Sequence, residues 1–267
     1  MTDTGKPKIF LKDYRAPDYL VDTAHLEFNL DPVRTVVKST LAMRRAETAA
    51  ADATVRLDGE EIELCALSID GEPVSDQRYS VQNNVLEIFD TPEAFVLEIT
   101  TTCSPARNTA LSGLYISNDM FCTQCEAEGF RRITYYPDRP DILARFSVRI
   151  EADRKAFPVL LSNGDLMNGG GLDEGRHFAE WRDPHPKPSY LFALVGGDLT
   201  AVEDKFTTRS GRDVRLQIFV QDKNKDKCAY TLDSLKRAMK WDEDTFGREY
   251  DLDRFMIVAV DHFNFGA

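Results

Sequence analysis

Chemically competent side chains are densest in residues 122–141, which read CTQCEAEGFRRITYYPDRPD. Cys122 and Cys125 form a C-x-x-C pair, which has the spacing of half a zinc site or of a redox dithiol. A structural zinc needs about four Cys or His ligands, usually as two such pairs, and Cys65, Cys103 and Cys228 stand singly. A redox dithiol of this spacing sits between a strand and a helix, and residues 129–140 do not read as helix. The pair is therefore expected to act as small buried hydrophobes. Glu126 and Glu128 lie two apart, so on an extended segment they share a face with Gln124. Such a row can receive a cation, for example a substrate ammonium. Spacing alone favours a blander outcome, in which Arg131, Arg132 and Arg139 pair with these carboxylates in a surface network. A polar segment flanked by strand-forming sequence is expected to be a loop held by a scaffold.

The scaffold reads as β. Leu26, Phe28 and Leu30 alternate with Glu27 and Asn29, the period of a half-buried strand. Asp31-Pro32 breaks that run, and a second strand is expected over 35–44. Short apolar runs follow with turn signals between them. Val55 and Leu57 precede Asp58-Gly59, residues 62–69 precede Asp70-Gly71, and Val81 and 85–89 flank Asn83-Asn84. Phe95, Leu97 and Ile99 then alternate. Asp-Gly between apolar runs predicts a hairpin, because both turn positions tolerate positive φ. After the central segment, Phe146, Val148 and Ile150 alternate and 158–161 read as a short strand. Residues 168–175, with Gly169-Gly170-Gly171, read as a mobile hairpin tip. Residues 190–195 read as a buried strand closed by Gly196-Gly197-Asp198. This spacing predicts a mainly β amino-terminal domain, a sandwich or bent, saddle-like sheet, over residues 1–198.

Beyond the glycine pair the period changes. Residues 206–208 and 214–220 predict a hairpin about Ser210-Gly211, and 221–227 a charged loop. Leu232, Leu235, Met239 and Phe246 take helical spacing, with Gly247 as the stop. Residues 256–260 form a continuous apolar run, as in a strand covered on both faces. Residues 199–267 thus predict the start of an α/β lobe that cannot close a core alone.

The balance of 33 basic and 45 acidic residues gives a formal charge of −12, which argues against nucleic acid or anionic membranes as partners. No run approaches the roughly 18 apolar residues of a spanning helix. The first residues lack the apolar core of a secretory signal, and the five cysteines make no disulfide framework. A cytoplasmic protein is expected.

The segment QCEAEGFRRITYYPDRPD closely resembles the amino-terminal domain of the bacterial aminopeptidase N family, zinc-dependent alanyl aminopeptidases of the gluzincin group. The likeness continues through ARFSVRIEADRKAFPVLLSNGD, WRDPHPKPSYLFALVGGDL and SLKRAMKWDEDTFGREYDLDRFMIVAVDHFNFGA, in the family's order. The resemblance implies a β domain followed by the incomplete opening of a thermolysin-like catalytic domain. It implies that Gln124 and Glu126 reach into the active site, with Glu126 pairing with the α-ammonium of a peptide that has a free amino end. Gly266 and Ala267, which open the family's G-A-M-E-N segment, would offer backbone groups to the substrate, and Phe265 would sit beside the first side-chain pocket. Zinc is the implied cofactor of the complete enzyme. His25, His177, His185 and His262 show no H-E-x-x-H spacing, so zinc ligands and catalytic residues are expected elsewhere. The chain then reads as a truncated portion, inactive alone, whose partner is the remainder of the catalytic domain. The alternative is a non-catalytic β module that presents its acidic loop to partners.

Overall fold

Period-two patterning builds the largest layer. Tyr19–Asn29, Thr35–Arg45, Ala94–Cys103 and Arg145–Asp153 are strands, and alternate residues such as Leu26, Phe28, Leu41, Leu97, Ile99 and Ile150 are buried. They form the centre of an eight-stranded sheet. Its outer strands are Arg176–Arg182 and Asp165–Gly171 on one side, and Glu63–Ile69 and Glu72–Pro73 on the other. In the first strand the buried phase shifts from Tyr19 and Val21 to Ala24, Leu26 and Phe28. The cause is a slip in register between Val21 and Thr23 against Thr35–Arg45, since one extra residue turns every later side chain over. Tyr19–Asn29 pairs antiparallel with Thr35–Arg45 but parallel with Arg145–Asp153. The structure, a computed structural model, describes residues 10–261 and residue 263.

Two smaller sheets share the same apolar cluster. One orders Val159–Ser162, Leu194–Gly197, Met120–Gln124 and Gly113–Ser117, and the other Val55–Asp58, Val85–Ile88 and Tyr79–Gln82. The Asp70-Gly71 and Asn83-Asn84 turns have the expected positive φ at both residues, 52° and 84°, then 50° and 64°. Asp58-Gly59 is not a hairpin, because Val55–Asp58 pairs with Val85–Ile88 while Glu63–Ile69 belongs to the large sheet. Glycine is needed there for a close approach, since a Cβ on Gly59 would lie 2.2 Å from the Tyr135 ring. The expected tip at 168–175 is mostly strand. Asp165–Gly171 pairs with Arg176–Arg182, and only Asp173–Gly175 and its flanks turn. The expected strand at 190–195 begins later, at Leu194, after the 3-10 turn Ser189–Leu191.

The Gly196-Gly197 pair is buried inside the four-stranded sheet. A Cβ on Gly197 would lie 2.6 Å from Met120 Cγ, so packing rather than flexibility selects glycine there. The chain changes sheets between Gly197 and Thr200. Thr200–Thr207 and Asp213–Val220 form the expected hairpin, and Arg254–Val258 lies parallel to Asp213–Val220. The helix Ala229–Phe246 sets Leu232 and Met239 against Val214, Leu216, Ile218 and Val220 in a second apolar cluster. It stops at Gly247, φ 65°, whose N–H donates to the Glu243 carbonyl at 3.1 Å, a left-handed closure that suits glycine. The charged stretch before it is a 3-10 helix, Asp222–Lys227, and Arg254–Val258 is half-buried throughout rather than covered on both faces. This unit leans on the first. Met256, Val258 and Val260 pack against the large cluster, the Arg254 guanidinium lies 5.4 Å from the Trp181 ring, and Asn118 Nδ2 donates to Asp261 at 2.6 Å. Among the described residues no helix is long and apolar enough to cross a membrane.

Candidate functional site

Met120–Gln124 carries the chain to the end of the four-stranded sheet, and Gln124, its last residue, is buried. The chain then turns. The Gly129 N–H donates to the Cys125 carbonyl at 2.8 Å, and the 3-10 turn Phe130–Arg132 follows. Backbone crowding demands glycine here, since a Cβ on Gly129 would lie 2.4 Å from the Gln124 carbonyl oxygen and 2.9 Å from Gly113 N. The Glu126–Ala127 peptide is cis. Glu126 and Glu128 are exposed on this turn, so the extended row of Gln124, Glu126 and Glu128 does not form.

Arginines frame the turn. The Arg131 backbone N–H and Nε donate to Asp138 Oδ2 at 3.2 and 3.1 Å, and a terminal guanidinium nitrogen donates to the Asp138 carbonyl at 3.2 Å. That nitrogen also lies 3.6 Å from Glu128 and 3.7 Å from Asp58. Asp138 is buried, and its Oδ1 accepts from Ser189 Oγ at 2.5 Å. Burial raises the Asp58 carboxyl above its usual range, against the pull of Arg131. Arg132 pairs with Glu60 and Glu61, and Arg139 with Asp141. The expected arginine network therefore includes Glu128 and omits Glu126, which has no hydrogen bond or ion pair among the described residues.

The rest of the segment is not a surface loop. Phe130, Ile133, Thr134 and Tyr136 are buried. Thr134 Oγ1 and Ser39 Oγ share a hydrogen bond of 3.2 Å, and Thr101 Oγ1 donates to the Ile133 carbonyl at 3.1 Å. These bonds lay the segment on the inner face of the large sheet. Asp58 and Tyr136 exchange backbone hydrogen bonds of 2.8 and 3.1 Å. Cys122 and Cys125 lie in the same core. Burial pushes the Cys122 thiol up to about 12 and Cys125 well above its usual value, which suits the expected role as small hydrophobes. Among the described residues no group of three or more His, Cys, Asp or Glu is placed to hold a metal, so these residues do not fit a zinc site. His262, Phe265, Gly266 and Ala267 lie outside the described residues. Sequence reasoning missed the Asp138–Ser189 bond, because a serine 51 positions away carries no local signal of it.

Together these features define a β-rich module that suspends an acidic turn at the end of a sheet, beside a smaller α/β unit. The Peptidase M1 N-terminal domain profile matches residues 24–191, and the chain belongs to that family. It is similar to aminopeptidase N of Caulobacter vibrioides, 56% identical over 266 residues, covering 100% of this chain and 30% of the relative. It is also similar to aminopeptidase N of Escherichia coli, 52% identical over 267 residues, covering 100% and 30%. The crystal structure of Legionella pneumophila aminopeptidase A in complex with aspartic acid matches with a TM-score of 0.91 and 35% identity, over 96% of this chain and 30% of that one. The chain spans about 30% of the length of these curated relatives.

Proposed function

We propose that the chain serves as the amino-terminal portion of a zinc-dependent aminopeptidase that removes residues from peptides with a free amino end. In this reading Glu126, assisted by Gln124, anchors the substrate's α-ammonium. The observation that carries it is that Glu126 has no hydrogen bond or ion pair among the described residues, while the arginines of the same segment, Arg131, Arg132 and Arg139, each answer other carboxylates. An exopeptidase must recognise the chain end, and a carboxylate facing an ammonium does so directly. The Gln124 side-chain carbonyl can accept a second bond from the same ammonium. Left as exposed as Glu126 is here, such an ion pair is worth about 0.2–1 kcal/mol. Covered by neighbouring protein, a charge-assisted bond is worth about 1.5–3 kcal/mol. The anchor therefore works with the remainder of a catalytic domain laid over the turn, and Gly266 and Ala267 of this chain would add backbone contacts. Zinc would be held by residues other than those described here, and no step of the anchoring runs through it.

The two apolar clusters and the change of sheet after Gly197 support a β domain over 1–198 and the start of a catalytic domain over 199–267. The acidic balance favours peptides over nucleic acid or anionic membranes as partners, and cytoplasmic residence belongs to the same reading. Kinetics on the longer polypeptide test the anchor. Glu126→Ala should lower kcat/KM on alanyl substrates about tenfold or more, mainly through a raised KM. Gln124→Ala should cost less, because its bond is uncharged on one side, and Glu128→Ala should leave kinetics nearly unchanged. Amino-acetylated substrates should be insensitive to all three. A Glu126→Ala enzyme that cleaves free peptides as well as the parent would sink the reading.

A further inference from the structure

We infer that Asp138 is a positioning residue for that anchor: it holds the Arg131 guanidinium away from Glu126, so that the turn keeps an unneutralised carboxylate. The inference rests on the anchoring role of Glu126 given above. Arg131 is the cation nearest the turn in sequence, and it already touches Glu128, two residues from Glu126. Three hydrogen bonds tie it to Asp138, two to Oδ2 and one to the carbonyl oxygen. Ser189 occupies the other carboxylate oxygen, which fixes the plane of the group. With both oxygens engaged and its side chain 1% exposed, Asp138 cannot rotate without breaking several charge-assisted bonds in a dry site.

The geometry gives Asp138 a role that fold alone would not require. If its charge is removed, Arg131 keeps Asp58 and Glu128 as its remaining anionic neighbours, at 3.7 and 3.6 Å. Both contacts are longer than the one lost, at 3.1 Å. The guanidinium, left with these contacts and its bond to the Asp138 carbonyl, then swings more readily toward the turn, where it competes with the substrate ammonium for Glu126. Arg132 does not offer the same competition, since its guanidinium is divided between Glu60 and Glu61.

A double-mutant cycle in the full-length enzyme tests this. Asp138→Asn should raise KM for free-amine alanyl substrates roughly fivefold, the scale of one partly screened charge pair, while kcat stays within about twofold. In the Glu126→Ala background the same substitution should add almost nothing, because residues acting through one interaction are non-additive. A purely structural role would instead give independent, multiplying losses in both backgrounds, and that result overturns the proposal. If Asp138→Asn fails to fold, Ser189→Ala loosens the same carboxylate. It should raise KM roughly twofold in the parent and not at all beside Glu126→Ala, and an unchanged KM in the parent overturns the proposal. Should Glu126→Ala raise KM while Asp138→Asn and Ser189→Ala do not, positioning fails and the anchor stands. Should Glu126→Ala itself have no effect, the anchor fails and the inference falls with it.

Discussion

The Cys122 thiol, pushed up to about 12 by burial, has the spacing of a redox dithiol with Cys125 and the surroundings of a core alanine. A thiolate there would be a charge without solvent, and the thiolate is the reactive form. Cys103 is likewise raised to about 12, whereas Cys65 is exposed. Brief maleimide labelling of the native protein, read by peptide mass spectrometry, should therefore mark Cys65 and leave Cys103, Cys122 and Cys125 unmodified until denaturant is added. Native labelling of Cys122 at the rate of Cys65 would refute this account. The glutamates teach a different lesson about spacing. Placing Glu126 and Glu128 on one face assumes extended backbone. The turn instead brings Gly129 against the Gln124 carbonyl and against Gly113 of the neighbouring strand, packing that side-chain periodicity does not encode.

Among the elements, the stretch that precedes the first strand is fastened to the end of the central segment. Tyr14 Oη donates to Asp141 Oδ2 at 2.9 Å, Arg139 Nε donates to Asp141 Oδ1 at 2.8 Å, and the Arg139 guanidinium also reaches the Arg15 carbonyl at 2.7 Å. Arg139 first, and Tyr14 after it, hold the Asp141 carboxyl below its ordinary 3.8. A carboxyl lowered on folding adds stability that is fully present above the unfolded value and is lost as pH falls through the folded one. Asp141→Asn should accordingly lower the melting temperature at neutral pH, and the gap to the parent should narrow as pH falls below the ordinary carboxylate value. A gap that persists unchanged in acid would exclude this origin. Strands with alternating side chains, such as Arg145–Asp153, were readable from sequence because one face is buried. The edge strand Asp165–Gly171 was not, because its glycines join the ladder through backbone bonds alone and leave no pattern of side chains. Asp58-Gly59 misled for the opposite reason, a turn-like pair whose glycine answers a tyrosine ring.

For the molecule as a whole, the question is where it comes apart. Glycine pairs suggest flexible joints, yet both glycines are buried in the sheet, Gly196 paired on both sides with Phe121 and Leu160 and Gly197 with Val159. Asp222–Lys227 is by contrast a 3-10 segment with no buried residue, at the foot of the helix. Limited digestion with a non-specific protease should cut within 222–227 well before any cleavage at 196–197, and mass spectrometry of the early fragments would decide it. Early cleavage at the glycine pair would mean that the four-stranded sheet opens more readily than its packing implies.

The parallel pairing of Tyr19–Asn29 with Arg145–Asp153 also bears on how the protein is made. His25 and Ser147, hydrogen-bonded across that pair, are 122 residues apart in the chain. At synthesis rates of about 5–20 residues per second, the first strand waits on the order of ten seconds for its neighbour. In that interval it can join only Thr35–Arg45, and its other edge stands open on the ribosome. Bare strand edges template association with other chains, and closing so distant a contact is intrinsically slow. Among the four central strands this pairing is thus the last to be sealed, and the nascent chain is most exposed to misassembly at a place where the mature fold is well protected.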